Sequence, residues 1–184
     1  MDEVTFWYLI EQSIDAASAG DGEDLGPQVI ELKRLLTQIE DVEELIVFQQ
    51  ILDQLMDQAY NWALWGAAYL MMGGLNDDEF EYFRAGLIMK GKEAYETSLR
   101  EPDELAEFGL VVPCEEMLYL ACEVYEERSD DGAIYDRNTE KVNFEPSGDS
   151  FDEHDVDYFK EQYPRLWDCT GKSRSGGAFA LHQY

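Results

Sequence analysis

Residues 59–90 read AYNWALWGAAYLMMGGLNDDEFEYFRAGLIMK, and this stretch decides the fold. Its first part, up to Met72, is apolar nearly all round, which predicts a buried central helix. The pair Gly73–Gly74 predicts the end of that helix, because glycine adopts the left-handed conformation at a helix C-terminus without steric cost. Asn76 is a candidate N-cap followed by acidic residues that oppose the positive end of a helix dipole, so a further helix is predicted to run to about Lys90.

Outward from this stretch, apolar residues recur at spacings of three and four, the pattern of helices that cover a core with one face. Pro27 suits the first turn of one such helix, and Asp41, followed three residues later by an acid, suits the start of another. The further segments are 3–17, 27–38, 41–55, 92–99, 114–128 and 152–163, with a turn that starts at Pro102. The sequence predicts a mainly α protein, a single-domain bundle of about seven helices.

The helical pattern breaks down in two places. Over residues 130–150, Asp, Gly, Asn and Pro are frequent, and only 133–135 and 142–144 are possible short strands. This segment is predicted to be irregular or a hairpin. The helical domain is therefore expected to span residues 1–170, and the Gly- and Ser-rich residues 171–184 to form a flexible C-terminal tail.

Charge is the strongest feature of the composition. The 184 residues include 41 Asp and Glu against 13 Lys and Arg, for a formal net charge of -28, and 45% are hydrophobic. That apolar content favours a folded core over a disordered acidic chain. Nucleic acid and anionic membranes are not expected partners, because a protein binds their phosphates through clustered lysines and arginines and a strongly negative protein repels them. A basic protein partner would be attracted, although high negative charge also serves solubility alone.

The cysteines and the termini predict a cytoplasmic protein. Cys114, Cys122 and Cys169 form no C-x-x-C pair and are expected to be free thiols in a reducing compartment. No apolar run approaches the roughly 20 residues that span a bilayer. The N-terminus is acidic where a secretory signal would be basic.

Several motifs along the chain match those of one family. They are Phe6-Trp7-x-Leu9-Ile10, Leu64-Trp65-Gly66-Ala67-Ala68-Tyr69-Leu70, Gly73-Gly74-Leu75-Asn76-Asp77-Asp78-x-Phe80-x-Tyr82-Phe83-Arg84, Leu87-Ile88-x-x-Gly91 and Pro102-Asp103-x-Leu105-Ala106. On these residues the chain resembles the bacterial domain-of-unknown-function family DUF4240 over most of its length. The segment Tyr163-Pro164-Arg165-Leu166-Trp167 is similar to the family's closing segment.

This resemblance implies a helical fold and a bacterial origin, and it carries no substrate, cofactor or catalytic residue. Gly86 departs from the family pattern, which has a tryptophan at that place. Any pocket that such a ring would line is therefore in doubt in this chain.

The best candidate site is the acidic start of the helix that follows Asn76. Asp77 and Glu81 are four residues apart and share a helix face. Such carboxylates could bind a hard cation or act as acid and base. The alternative is an ordinary helix start, in which the acids oppose the dipole and Arg84 forms a surface pair with Glu81. The candidate binding residues are Asp77, Asp78, Glu81, Arg84, Trp65 and Tyr82.

An aromatic set beside this site allows two interpretations. At spacings of three and four the rings could line a ligand groove, although core packing is the simpler explanation. The set comprises Trp62, Trp65, Tyr69, Phe80 and Phe83.

Motifs for metal binding and covalent catalysis are weak. The acidic run 149–157 could hold a metal through His154, but one histidine among scattered carboxylates lacks the closed ligand set of a metal site. The chain has only 2 histidines, so few residues could act as the general base of a Ser-His or Cys-His nucleophile pair. No metal, no cofactor and no catalytic residue is therefore predicted.

These features favour binding over catalysis. The preferred hypothesis is an acidic protein-binding or regulatory module that engages a basic partner, for example as an immunity or inhibitor protein against a nuclease toxin. One alternative is a carboxylate-dependent enzyme, with or without a metal, in which Arg84 steers a small anionic substrate. Another is a structural dimerisation module, which requires an exposed apolar patch.

Overall fold

Helices account for the regular structure of the chain. The computed structural model describes residues 1–17, 24–129, 132–137 and 145–171. Within these ranges the chain forms eleven α-helices and no strand, which confirms the mainly α prediction and shows that about seven helices was too low a count. Among the same residues, no helix has both the length and the apolar character needed to cross a membrane.

The α-helices are α1 Glu3–Ala17, α2 Gly26–Thr37, α3 Glu43–Gln58, α4 Trp62–Met72, α5 Asp77–Met89, α6 Lys92–Arg100, α7 Leu105–Phe108, α8 Leu120–Arg128, α9 Ala133–Arg137, α10 Val156–Gln162 and α11 Pro164–Gly171. Two 3-10 turns, Pro102–Glu104 and Glu116–Leu118, precede α7 and α8.

The helices α1 and α2 bury the apolar faces that their spacing predicts. Their fully buried apolar residues include Phe6, Ile10, Leu32 and Leu36. Gln28 is buried in the same region, and its amide donates to Ser13 Oγ at 3.2 Å and to the Met89 carbonyl at 2.7 Å. Because buried polar groups need hydrogen-bond partners, these contacts hold α1, α2 and the end of α5 in one arrangement.

Residues 59–90 fold as two helices joined by a tight turn. Asn61 caps α4 by accepting from a first-turn N–H at 2.8 Å, so this helix starts slightly later than predicted. Gly73 ends it with a φ of 83°, as expected. The predicted start of α5 is confirmed, since Asn76 and Glu79 form a reciprocal capping box with N–H to oxygen distances of 2.7 and 3.0 Å.

The helix α4, predicted as the buried central helix, is buried over most of its circumference and half-buried along one aromatic face. Trp62, Trp65 and Tyr69 are half-buried. The buried residues of this helix are Leu64, Gly66, Ala67, Ala68 and Leu70. The C-terminal segment, residues 145–171, lies along this half-buried side, where the Trp62 N–H donates to the Ser147 carbonyl at 2.9 Å. The aromatic face of α4 is thus partly covered by a segment far away in the sequence.

Two further contacts attach the C-terminal segment to the helical body. The Tyr163 hydroxyl donates to the Ala63 carbonyl at 2.8 Å. It reaches that carbonyl over Gly66, where a Cβ would lie 2.5 Å from the hydroxyl oxygen. The Asp103 carboxylate accepts from two N–H groups at the start of α11, at 3.1 and 3.0 Å, where negative charge opposes the helix dipole.

Two predictions for the second half of the chain are wrong. Residues 133–135, a possible strand, belong to α9, while 142–144 lie outside the described residues. The helix predicted to begin at Cys114 begins only at Leu120. The reason is tertiary, because the Cys114 N–H donates to the Tyr82 carbonyl at 2.9 Å and holds this part of the chain against α5.

The last predicted helix, 152–163, corresponds to α10, and a further helix that was not predicted, α11, begins at Pro164. Asp155 caps α10 by accepting from a first-turn N–H at 3.0 Å. Asp152, the first residue of the predicted segment, accepts from the His154 N–H in the turn that precedes α10, at 2.9 Å. Pro164 starts α11, where a missing N–H costs nothing, and that helix extends to Gly171. Residues 172–184, the remainder of the predicted tail, lie outside the described residues.

Candidate functional site

The helix α5 separates the predicted site residues into two groups. Residues four apart share a helix face, whereas neighbours in sequence do not. One side of α5 carries Asp77, Glu81 and Arg84, which interact with one another electrostatically. The other side carries Asp78 and Tyr82, which form a second such group. The residues predicted as one site therefore belong to two different surroundings.

Arg84 is a buried cation, not the surface partner that its spacing from Glu81 suggests. The side chain is 7% exposed, and its Nη1 donates to the Met56 carbonyl near the end of α3 at 2.7 Å. Its guanidinium carbon lies 4.5 Å from the Tyr60 ring centroid and 5.1 Å from that of Phe80. Burial lowers the pKa of Arg84, and nearby acidic groups oppose that shift. These groups are Glu81, Tyr60, Asp77 and Asp57.

Tyr60 connects this cation to the acidic start of α5. Its ring lies over the Arg84 guanidinium, and its hydroxyl donates to Asp77 Oδ1 at 2.9 Å. Burial raises the pKa of Tyr60, and the hydrogen bond to the Asp77 carboxylate raises it further. Sequence reasoning missed Tyr60, which lies between two helices; the only signal was its place directly before the Asn61 cap.

Trp65 is the centre of an aromatic stack. Its ring centroid lies 5.0 Å from that of Trp62, with 9° between the planes, and 4.8 Å from that of Phe80, with 17° between the planes. Phe151 from the C-terminal segment meets Trp62 edge-on at 5.7 Å. Both faces of Trp65 are therefore used in packing, and only ring edges remain for a ligand.

The predicted carboxylates lie on the surface. The side chains of Asp77, Asp78 and Glu81 are all exposed. Within the described part of the chain, no group of three or more His, Cys, Asp or Glu side chains is placed to hold a metal ion. This includes the acidic run near His154, whose ring lies 3.7 Å from the Glu153 carboxylate.

Tyr82 is half-buried where residues 109–119 cross α5. Partial burial raises the pKa of its hydroxyl, and the adjacent Glu115 carboxylate, Tyr119 and Asp78 raise it further. Glu115 and Tyr119 were missed by sequence reasoning, because helical periodicity assigned both to the helix predicted from Cys114. The contact between this segment and α5 is what makes them neighbours of Tyr82.

The protein is thus an all-α protein in which α4 and α5 pack through aromatic rings and α5 carries exposed carboxylates on two sides. A family model described as "Protein of unknown function (DUF4240)" matches residues 1–127, and the chain belongs to this family. The match includes α1 to α7 and most of α8 but not residues 163–167, which the sequence resemblance had included. No curated protein and no solved structure matches the chain.

Replacing Arg84 with lysine is expected to lower the free energy of unfolding by about 1–2 kcal/mol, because an ammonium is more strongly hydrated and lacks the planar group that packs against the Tyr60 and Phe80 rings. Urea unfolding followed by circular dichroism measures the change. Arg34→Lys is the matched control, since Arg34 is exposed and paired with Glu31 at 2.6 Å; its expected change is below about 0.5 kcal/mol. Equal effects of the two substitutions would contradict a packing role for Arg84.

Proposed function

We propose that this protein is an acidic binding module that engages a basic protein partner. The observation that supports the proposal most is that the protein's own lysines and arginines are bound within the chain. Each lysine and arginine whose side chain is described has a hydrogen-bond or ion-pair partner within the chain, and the acidic residues still outnumber the basic ones by 41 to 13. The lysines and arginines concerned are Lys33, Arg34, Arg84, Lys90, Lys92, Arg100, Arg128, Lys160 and Arg165.

Most of these cations are used in two ways, and Arg100 contacts the Thr97 hydroxyl instead, at 3.5 Å. Some pair with carboxylates, as Lys33 does with Glu123 and Glu127 at 3.1 and 3.0 Å. Others bind backbone carbonyls, as Arg128 does with the Glu40 carbonyl at 2.9 Å beyond the end of α2. With 41 acidic residues against 13 basic ones, this leaves a surface that attracts a positively charged protein and repels other anions.

Inhibition of a basic nuclease is the finer form of this proposal. A nuclease must present cations to nucleic acid phosphates, and an acidic protein can cover the same surface. The enzyme hypothesis has less support. Arg84 is 7% exposed and donates inward to the Met56 carbonyl, so it is poorly placed to steer a substrate, and Asp77 already accepts a hydrogen bond from Tyr60.

The test is capture of partners on the immobilised chain from cells of its source organism, followed by calorimetric titration of each purified partner. We expect a one-to-one complex with a protein rich in lysine and arginine. Its Kd should rise about tenfold or more between about 50 and 300 mM NaCl, because screening weakens long-range attraction. If that partner is a nuclease, an equimolar amount of this protein should suppress its cleavage of nucleic acid.

An unrelated acidic protein on the same support controls for simple ion exchange. Absence of a specific partner, or a partner whose affinity is indifferent to salt, would refute the proposal.

A further inference from the structure

Residues 109–119 lie along α5 and are anchored to it at three levels. The Lys90 Nζ donates to the Leu110 carbonyl at 2.9 Å at one end, and the Cys114 N–H donates to the Tyr82 carbonyl at 2.9 Å at the other. Between them, Gly86 allows the backbone of the loop to touch the helix, since a Cβ there would lie 2.0 Å from a carbonyl oxygen. The residues that follow Cys114 are thereby held beside the start of α5.

This anchoring places two tyrosines and two carboxylates together. Tyr119, just before α8, is 53% exposed, so its ring is accessible to a partner. Tyr82 is half-buried beside it, and the side chains of Asp78 and Glu115 are exposed. Partial burial raises the pKa of the Tyr82 hydroxyl, and the neighbouring Glu115, Tyr119 and Asp78 side chains raise it further.

This combination suits one kind of ligand group. An arginine guanidinium is planar, stacks on aromatic rings and binds a carboxylate through two parallel hydrogen bonds. Tyrosine is enriched at protein interfaces because it offers a large, rigid contact area at low entropic cost. A free cation would gain little binding energy on such an exposed surface. An arginine on a partner protein binds together with the residues around it in the partner, so its contribution adds to theirs.

We propose that Tyr82, Tyr119, Asp78 and Glu115 form the surface on which an arginine of a basic protein partner docks. The inference rests on the proposed binding function and assigns it to a particular place on the molecule. The occupant is an arginine-bearing protein segment, selected by charge complementarity together with the exposed phenol ring. Lysine is a poorer fit, because its ammonium is compact and strongly hydrated.

The experiment titrates an acetylated, amidated hexa-arginine peptide into the full chain at low salt and follows the tyrosine ring signals by NMR. The signals of Tyr82 and Tyr119 should shift first. Tyr119→Ala should weaken binding by about fivefold or more, the range of a cation–aromatic contact. Glu115→Gln should also weaken binding of the hexa-arginine peptide. A hexa-lysine peptide should bind several-fold more weakly than hexa-arginine.

Tyr8→Ala is the matched control, because Tyr8 on α1 is 60% exposed and thus comparable with Tyr119. We expect its affinity to stay within about twofold of the parent, the size of effect typical of peripheral contacts. Unchanged urea midpoints would show that both variants remain folded.

The outcomes separate the two proposals. One outcome is that binding is salt-sensitive while Tyr8→Ala and Tyr119→Ala weaken it equally. That result would overturn the proposed docking surface but not the proposed binding function. Equal affinity for hexa-arginine and hexa-lysine would overturn the choice of arginine and with it this inference. Failure of both peptides to bind at low salt would refute the surface and weigh against the proposed function as well.

Discussion

Replacing Gly86 with alanine is expected to lower the free energy of unfolding by about 2 kcal/mol, even though alanine is the better helix former by about 1 kcal/mol. A Cβ at this position would lie 2.0 Å from the Val112 carbonyl oxygen and 2.9 Å from the carbonyl carbon. These are backbone atoms of a segment tied to α5 by the Cys114 N–H, so they cannot rotate away as a side chain could. If the segment moved away from α5, the clash would be relieved, but the packing between the segment and α5 would be lost.

Gly26→Ala is the matched control, because Gly26 also lies in a helix. The atom nearest to its added Cβ would be Asp24 Oδ1 at 3.0 Å, the movable end of an exposed side chain. Its expected change in the free energy of unfolding is within about 0.5 kcal/mol. Urea unfolding of both variants measures the difference. Similar stabilities would show that residues 112–113 do not pack on α5 as described.

Local signals predicted the centre of the fold well. Asn76 with Glu79, and Gly73 at the end of α4, act within one turn of the chain, so their effects can be inferred without tertiary structure. The helix start placed at Cys114 failed because a bond to Tyr82 from another helix outweighs local periodicity. The start of α11 depends likewise on Asp103, which is distant in sequence.

The candidate site was predicted only in part for the same reason. Helical periodicity correctly places Asp77 and Glu81 on one face of α5. It cannot show that Arg84 turns inward, because that depends on the Met56 carbonyl and the Tyr60 ring, which come from α3 and the loop after it. A buried arginine and a surface arginine have the same helical spacing, and only the neighbouring elements distinguish them.

The free energy of unfolding is expected to fall by about 2–4 kcal/mol as the pH rises from 9 to 11, because burial raises the pKa of Cys114 and of Cys122 from 9.0 to about 11. The unfolded state, with ordinary thiol pKa values, loses these protons first. It therefore binds fewer protons than the folded state in this window, and stability decreases with rising pH. The stabilisation is fully present below pH 9.0 and is lost as the pH passes through about 11.

Cysteine variants isolate this effect from other alkaline changes. Burial also raises the pKa of Tyr95 and Tyr163 from 10.0, so stability should decline above about pH 10 in every variant. In the double variant Cys114→Ala/Cys122→Ala the slope between pH 9 and 11 should flatten by up to about 1.4 kcal/mol per pH unit for each thiol removed. Cys169→Ala, at an exposed cysteine, should leave the slope unchanged. Urea unfolding at a series of pH values under reducing conditions measures these slopes, and the same slope in the double variant as in the parent would exclude the two buried thiols as its source.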